Sequence, residues 1–190
     1  MSSSLTAVSP DSNILAVYTP SSKDTSGSGT SSSSKIIIKY YDAKVSLGAL
    51  KYTLSANSAK QSAKQKNDSA AAAVDGILFA SPRTLLASTG CGNGSNGAKI
   101  FIFDLVRGVH AHTIDSPSGM NLQSVDAKDE YVYALVKKDG KALVLKYDIG
   151  SDSTNSGKPK LVKKIRTGSC DDDDVLSVCI AGDSDNDNDW

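Results

Sequence analysis

Hydrophobic positions along the chain fall in short runs of strand length. The runs are Ile14–Tyr18, Lys35–Tyr41, Gly76–Ala80, Leu85–Ser88, Lys99–Phe103, Tyr131–Val136, Ala142–Tyr147 and Val175–Ile180. They are rich in Ile, Val, Tyr and Phe and are bounded by Gly, Asp, Asn, Ser or Pro, which is the signature of β-strands. Nowhere does a 3.6-residue period persist over about twelve residues, so helices are not expected. The pattern predicts an all-β chain of short antiparallel strands. Between Tyr131–Val136 and Ala142–Tyr147 stands Lys137-Lys138-Asp139-Gly140-Lys141, whose Asp-Gly pair predicts a tight hairpin.

Three stretches interrupt the pattern: residues 21–34 (SSKDTSGSGTSSSS), 55–73 (SANSAKQSAKQKNDSAAAA) and 150–160 (GSDSTNSGKPK). Little in them can be buried to offset the entropy of ordering, so they are expected to be flexible insertions. The second carries good helix formers but no apolar stripe to dock a helix. With the insertions set aside, residues 1–182 read as one β-rich body and residues 183–190 as an acidic tail.

The strands recur as a unit. Ser9-Pro10-Asp11, Ser81-Pro82-Arg83 and Asp126-Ala127-Lys128 each precede a run. In each unit a later run ends in an aromatic residue followed by Asp: Tyr41-Asp42, Phe103-Asp104 and Tyr147-Asp148. After each Asp a fourth run follows: Ala49–Leu54, Val109–Ile114 and Leu161–Ile165. Asp104 and Asp148 are 44 residues apart; Asp42 and Asp104 are 62 apart, the excess lying in the 55–73 insertion. A period of roughly 40–45 residues with four strands per unit fits a propeller blade. In these features the chain resembles the WD-repeat family of β-propellers, with Tyr41-Asp42, Phe103-Asp104 and Tyr147-Asp148 where that family often has Trp-Asp. Arg166-Thr167-Gly168-Ser169 before Val175–Val178 resembles the family's entry into a new blade. Gly168 falls at the Gly of its Gly-His pair, and the His is missing. More narrowly, residues 98–114, 145–149 and 163–180 are similar to the amino-terminal propeller of a nucleolar WD-repeat subunit of the small-subunit processome.

Three units plus one opening strand, Val175–Ile180, make a partial propeller, since closed rings have about four to eight blades. The expectation is a fragment of a longer propeller. Completion by a partner chain is one alternative, and a small β-sandwich is another.

Composition narrows the functions. The chain has 190 residues, 21 Lys+Arg and 21 Asp+Glu, so its formal net charge is zero. That argues against binding driven by a strongly basic surface. No run approaches the roughly 18 apolar residues of a membrane-spanning helix, and the start, MSSSLTAVSPDSN, lacks signal-peptide character. Cys91, Cys170 and Cys179 are odd in number and widely spaced, which indicates neither a disulfide framework nor a zinc site. The compartment expected by default is intracellular and reducing.

Candidate chemistry adds little. Gly92–Gly97 matches G-x-G-x-x-G, but a strand pattern follows it where a dinucleotide site needs a helix N-terminus, so a Gly-rich hairpin loop is expected. His110 and His112, two apart on a strand, are expected to share the polar face of an outer strand, with no third metal ligand evident. Cys91 is expected in an exposed, oxidisable loop and Cys179 in the core. Asp171–Asp174 reads as an exposed loop; Asp183–Asn188 looks like the start of a calcium loop, but it lacks the turn Gly and the closing Glu. No catalytic, cofactor-binding or metal-binding residue is assigned.

The resulting expectation is a non-catalytic protein-interaction scaffold. The resemblance implies ribosome biogenesis, with pre-rRNA transcription and processing as part of the small-subunit processome. It also implies a nuclear or nucleolar location. Partners are expected to be other proteins of a multi-subunit complex and an RNA-containing pre-ribosomal particle, with no membrane and no small-molecule substrate. A WD-repeat adaptor in ubiquitin ligation or vesicle trafficking, with a cytoplasmic location, is the alternative. A propeller enzyme would need a polar cluster converging on the ring axis.

Overall fold

The structure is a computed structural model describing residues 4–19, 35–42, 50–57, 74–91, 97–150, 158–171, 174 and 176–181. Among these residues every regular element is a strand: β1 (Leu5–Val8), β2 (Ile14–Tyr18), β3 (Lys35–Asp42), β4 (Leu50–Asn57), β5 (Val74–Ser81), β6 (Thr84–Thr89), β7 (Lys99–Asp104), β8 (Val109–Asp115), β9 (Asn121–Lys128), β10 (Tyr131–Lys138), β11 (Lys141–Asp148) and β12 (Lys160–Ser169). They form three separate four-stranded sheets, β1–β4, β5–β8 and β9–β12, each pairing its strands antiparallel in chain order. None of the sheets closes on itself.

Two strands lie outside the runs that the hydrophobic pattern marks. β1 is only four residues long, and β9 reads NLQSVDAK, with too few apolar residues to stand out. Asp126, Ala127 and Lys128, which precede the Tyr131–Val136 run, end β9; the turn is Asp129-Glu130. The insertions are also shorter than expected at two ends. β4 takes in residues 55–57, and Lys160 starts β12. The expected flexible stretch 21–34, residues 58–73 and residues 151–157 lie outside the described residues, as does the tail 183–190. Val175–Ile180 was expected as a strand. Its described part, Leu176–Ile180, joins no sheet, because none of the described strands pairs with it.

The Asp-Gly hairpin forms as expected. Lys138 pairs with Lys141, and both loop residues, Asp139 (φ 49°) and Gly140 (φ 68°), have positive φ. A two-residue turn of this kind matches the right-handed twist of its strands.

Stacking explains which strands are buried on one side and which on both. Ile14, Ala16 and Tyr18 of β2 share a core with Leu85, Ala87, Phe101 and Phe103 of β6 and β7. The alternate residues Leu86, Ile100 and Ile102 join a second core with Val132, Ala134, Val136, Leu145 and Tyr147 of β10 and β11. The middle sheet is therefore covered on both faces, and β6 and β7 are buried almost without interruption. A strand covered on both faces reads as a continuous apolar run, as Lys99–Phe103 does. The sheets stack in chain order: β1 lies beside β5, β5 beside β9, and β4 beside β8. β12 is an edge strand with every residue exposed, and Lys160, Lys163, Lys164 and Arg166 line it. Such charges discourage edge-to-edge aggregation.

Candidate functional site

The aromatic-Asp pairs of the second and third sheets do the same structural work. Phe103 and Tyr147 are buried near the ends of β7 and β11, and burial raises the Tyr147 hydroxyl pKa. The next residue is the Asp. Asp104 Oδ1 accepts the N–H groups of Val106 (2.9 Å) and Arg107 (3.0 Å), and the Arg107 guanidinium approaches its other oxygen at 3.6 Å. Asp148 Oδ1 accepts the Gly150 N–H at 2.8 Å. Each carboxylate thus ties down the turn that leads out of its strand, which is why a short acceptor follows the aromatic residue. One residue further on, Leu105 N–H donates to the Arg83 carbonyl and Ile149 N–H to the Glu130 carbonyl, both at 2.9 Å. These bonds clasp the turn between the first two strands of a sheet to the end of its third strand. In the first sheet Tyr41 and Asp42 end β3 and pair with Leu15 and Ile14 of β2.

A second recurrence is invisible to motif reading. In every sheet the ladder between the third and fourth strands shifts register just before the terminal aromatic residue: between Tyr40 and Tyr41, Ile102 and Phe103, and Lys146 and Tyr147. The extra residues are Lys51, Ala111 and Val162. A bulge at one fixed place in each unit increases local twist and bends the outer strand in the same way each time.

The bulge at Ala111 overturns one expectation. His110 pairs with Phe103 and His112 with Ile102, so the two histidines lie on opposite faces. The inserted residue resets the alternation that would have placed them together. His110 packs its ring 5.7 Å from Phe101 and 5.6 Å from Phe103, and its Nε2 lies 2.8 Å from the His112 carbonyl and 3.0 Å from Thr113 Oγ1. Burial depresses the His110 pKa, against the His112 carbonyl, which favours the proton. The folded form therefore disfavours protonated His110. Its stabilising effect is complete above about pH 6.5, the ordinary histidine value, and is lost as pH falls through the lower folded pKa. Thermal melts at pH 7.5 and 5.5 should show a smaller pH-dependent loss for His110→Gln than for the parent chain.

The cysteines exchange the environments expected of them. Cys91 is half-buried against the second core, and its N–H donates to Asp75 Oδ2 at 2.7 Å. Burial raises its thiol pKa, and the Asp75 charge adds to that, which disfavours the reactive thiolate. Cys179 is exposed, because Leu176–Ile180 is not enclosed in a sheet. Residues 92–96 of the Gly-rich stretch lie outside the described residues. The strands joined by residues 90–98, β6 and β7, are antiparallel neighbours, as a hairpin requires. Gly168 sits near the end of β12 with φ +131° and pairs with Ala142. Asp171 and Asp174 are exposed, and the Asp174 carboxylate accepts the Asp171 N–H.

At the start of the first unit, the Ser9 hydroxyl donates to Asp11 and accepts the Ile14 N–H. The Ser9 hydroxyl, and after it Asn13, hold the Asp11 carboxyl below its usual pKa.

Few of these groups converge. A cavity of about 420 Å³ is lined by Gly97 and residues 116–120, with no titratable side chain. Among the described residues no group of three His, Cys, Asp or Glu could hold a metal ion, and no helix is long and apolar enough to cross a membrane. Asp104 and Asp148 are thus turn-fixing groups on separate sheets. Asp104→Ala should lower stability by about 1–2 kcal/mol, since two N–H groups lose a charged acceptor. Asp148→Ala, which frees one, should cost less; urea unfolding of both variants checks the order. No protein-family model matches the chain, and no curated protein matches it.

Proposed function

We propose that the chain is part of a WD-repeat-like β-propeller serving as a non-catalytic interaction scaffold in ribosome biogenesis. In this reading its setting is the small-subunit processome, acting on pre-rRNA transcription and processing in the nucleolus. The observation that carries the propeller reading is the recurrence itself: three four-stranded meanders stacked in chain order, each bulged before the residue that precedes its terminal Asp. Adjacent first strands lie together and the outer strands β4 and β8 lie together, as in consecutive sectors of a ring. The middle sheet of this stack is packed on both faces. Among the described residues the turns after β7 and β11 are tied down by Asp104 and Asp148, and turns presented on a packed framework suit binding of other proteins more than chemistry. The processome assignment rests on the similarity of residues 98–114, 145–149 and 163–180 to that subunit's propeller.

The test is affinity purification of the tagged chain from cells. Recovery of processome subunits together with pre-rRNA is the expected result. Recovery of ubiquitin-ligase or vesicle-coat subunits would replace the pathway while leaving the scaffold. Absence of any specific partner would overturn the scaffold.

A further inference from the structure

Charge is distributed unevenly over this neutral chain. The strands of the third sheet carry nine Lys or Arg and two Asp, whereas those of the second sheet carry one Lys and three Asp. Four of the cations, Lys160, Lys163, Lys164 and Arg166, lie on β12, which has no acidic residue. Every residue of β12 is exposed, and among the described residues no strand pairs with its outer side. Such an edge presents free backbone N–H and C=O groups.

The register shows what stands beside each charge. Lys160 is opposite Asp148, whose carboxylate already accepts the Gly150 N–H. Lys163 is opposite Lys146, whose ammonium lies over the Tyr131 ring, 3.7 Å from its centroid. Lys164 and Arg166 are opposite Leu145 and Leu143, on the other face of the sheet. The ladder slips at Val162 and at Thr167, so Lys163–Arg166 is the regular stretch between the slips, with cations on both of its faces. Among the described residues the ion pairs are Lys99 with Asp115 and Arg107 with Asp104, both at the second sheet, and neither compensates β12. Leu161, Val162 and Ile165 add three exposed apolar side chains to the same strand.

We propose that β12 receives an added β-strand from a partner protein, a segment with Asp or Glu opposite Lys163, Lys164 and Arg166 and apolar residues between and beside them. One such occupant answers all three features of the edge. Its backbone completes the ladder, its carboxylates pair across the strands with the cations, and its apolar side chains cover Leu161, Val162 and Ile165. An RNA backbone would use the cations alone. Two copies of this chain joined through β12 would set Lys and Arg against Lys and Arg, which is unfavourable. The proposal deepens the scaffold reading and rests on it, by naming one surface through which a partner is held and the charge that partner carries.

The experiment uses the purified full chain and a fluorescein-labelled synthetic peptide, TTEVEEVVE, with TTKVKKVVK as its counterpart. Fluorescence anisotropy should show saturable binding of the acidic peptide, weakening as salt rises, and at least about tenfold weaker binding of the basic one. Hydrogen exchange followed by NMR should show slowed exchange of amides between Lys160 and Arg166 when the acidic peptide is present. The double variant Lys163→Glu, Lys164→Glu should reverse the preference and bind the basic peptide, with its melting temperature within about 2 °C of the parent's, since both side chains are exposed. Equal binding of the two peptides, or unchanged exchange at these amides, would overturn the proposal. So would equal binding of TTEPEEPVE, which keeps the charge but cannot pair as a strand. Protection of the same amides by an oligouridylate and not by the acidic peptide would make RNA the occupant and likewise overturn it. The two readings fail separately. If the charge-reversed variant recovers the same cellular partners as the parent chain, the edge is refuted and the scaffold stands.

Discussion

Phe103→Ala is expected to lower the stability of the chain by about 3–5 kcal/mol. Phe103 is 0% exposed, in the centre of the core shared by the first two sheets. Removing its ring leaves a cavity between two sheets whose backbones are fixed by their ladders, so the surroundings can close over it only partly. The ring also touches His110, and its backbone pairs with Leu85 on one side and His110 on the other. Domains are commonly stable by about 5–15 kcal/mol, so a loss of this size takes a large share. For a chain of this length each kcal/mol moves the melting temperature by roughly 2–4 °C. Calorimetry or circular dichroism should therefore show a fall of about 10 °C, within the broader range set by those two figures. Val106→Ala is the control: Val106 is 71% exposed in the adjacent turn and should change stability by no more than about 0.5 kcal/mol.

The second large effect is a contrast between two leucines at the same place in successive units. Leu15 pairs with Tyr41, the residue before Asp42; Leu85 pairs with Phe103, the residue before Asp104. Leu85 faces the first sheet and is fully buried, whereas Leu15 faces away from the stack and is 39% exposed. Leu85→Asp puts an unpaired charge between two sheets, at an expected cost of several kcal/mol, enough to prevent folding. Leu15→Asp keeps its carboxylate in contact with water and should cost only about 1 kcal/mol. Soluble yield and urea midpoints of the two variants read the difference directly. Equal losses would mean that the outer face of the first sheet is covered in solution.

Much of this architecture is legible in the residues, for identifiable reasons. The strands with strong hydrophobic runs, such as Lys99–Phe103 and Ala142–Tyr147, announce themselves because burial and β-branching point the same way. The Asp-Gly hairpin is local chemistry, and so is the role of Asp104 and Asp148 in tying down the following turns. β9 escapes notice because its face contributes few apolar side chains; it is a strand because β10 offers it a ladder. Val175–Ile180 fails in the opposite sense: the propensity is present, but among the described residues no partner strand is.

The remaining features depend on distances between residues far apart in the chain. No pattern in VHAHTID reveals the bulge that separates His110 from His112, because the bulge is a property of the pairing with β7. Nor could composition show that Cys91 would be half-buried and Cys179 exposed, since each outcome depends on what packs above it. The sequence by itself determined the all-β class, the strands with strong apolar runs and the turns that open with Asp104 and Asp148, all of which follow from neighbours a few residues apart. Only the tertiary structure decided which faces are covered, where the ladders slip and which apolar segment finds no partner strand among the described residues. Those are settled by long-range packing, where one inserted residue or one missing strand changes the environment of every side chain beyond it.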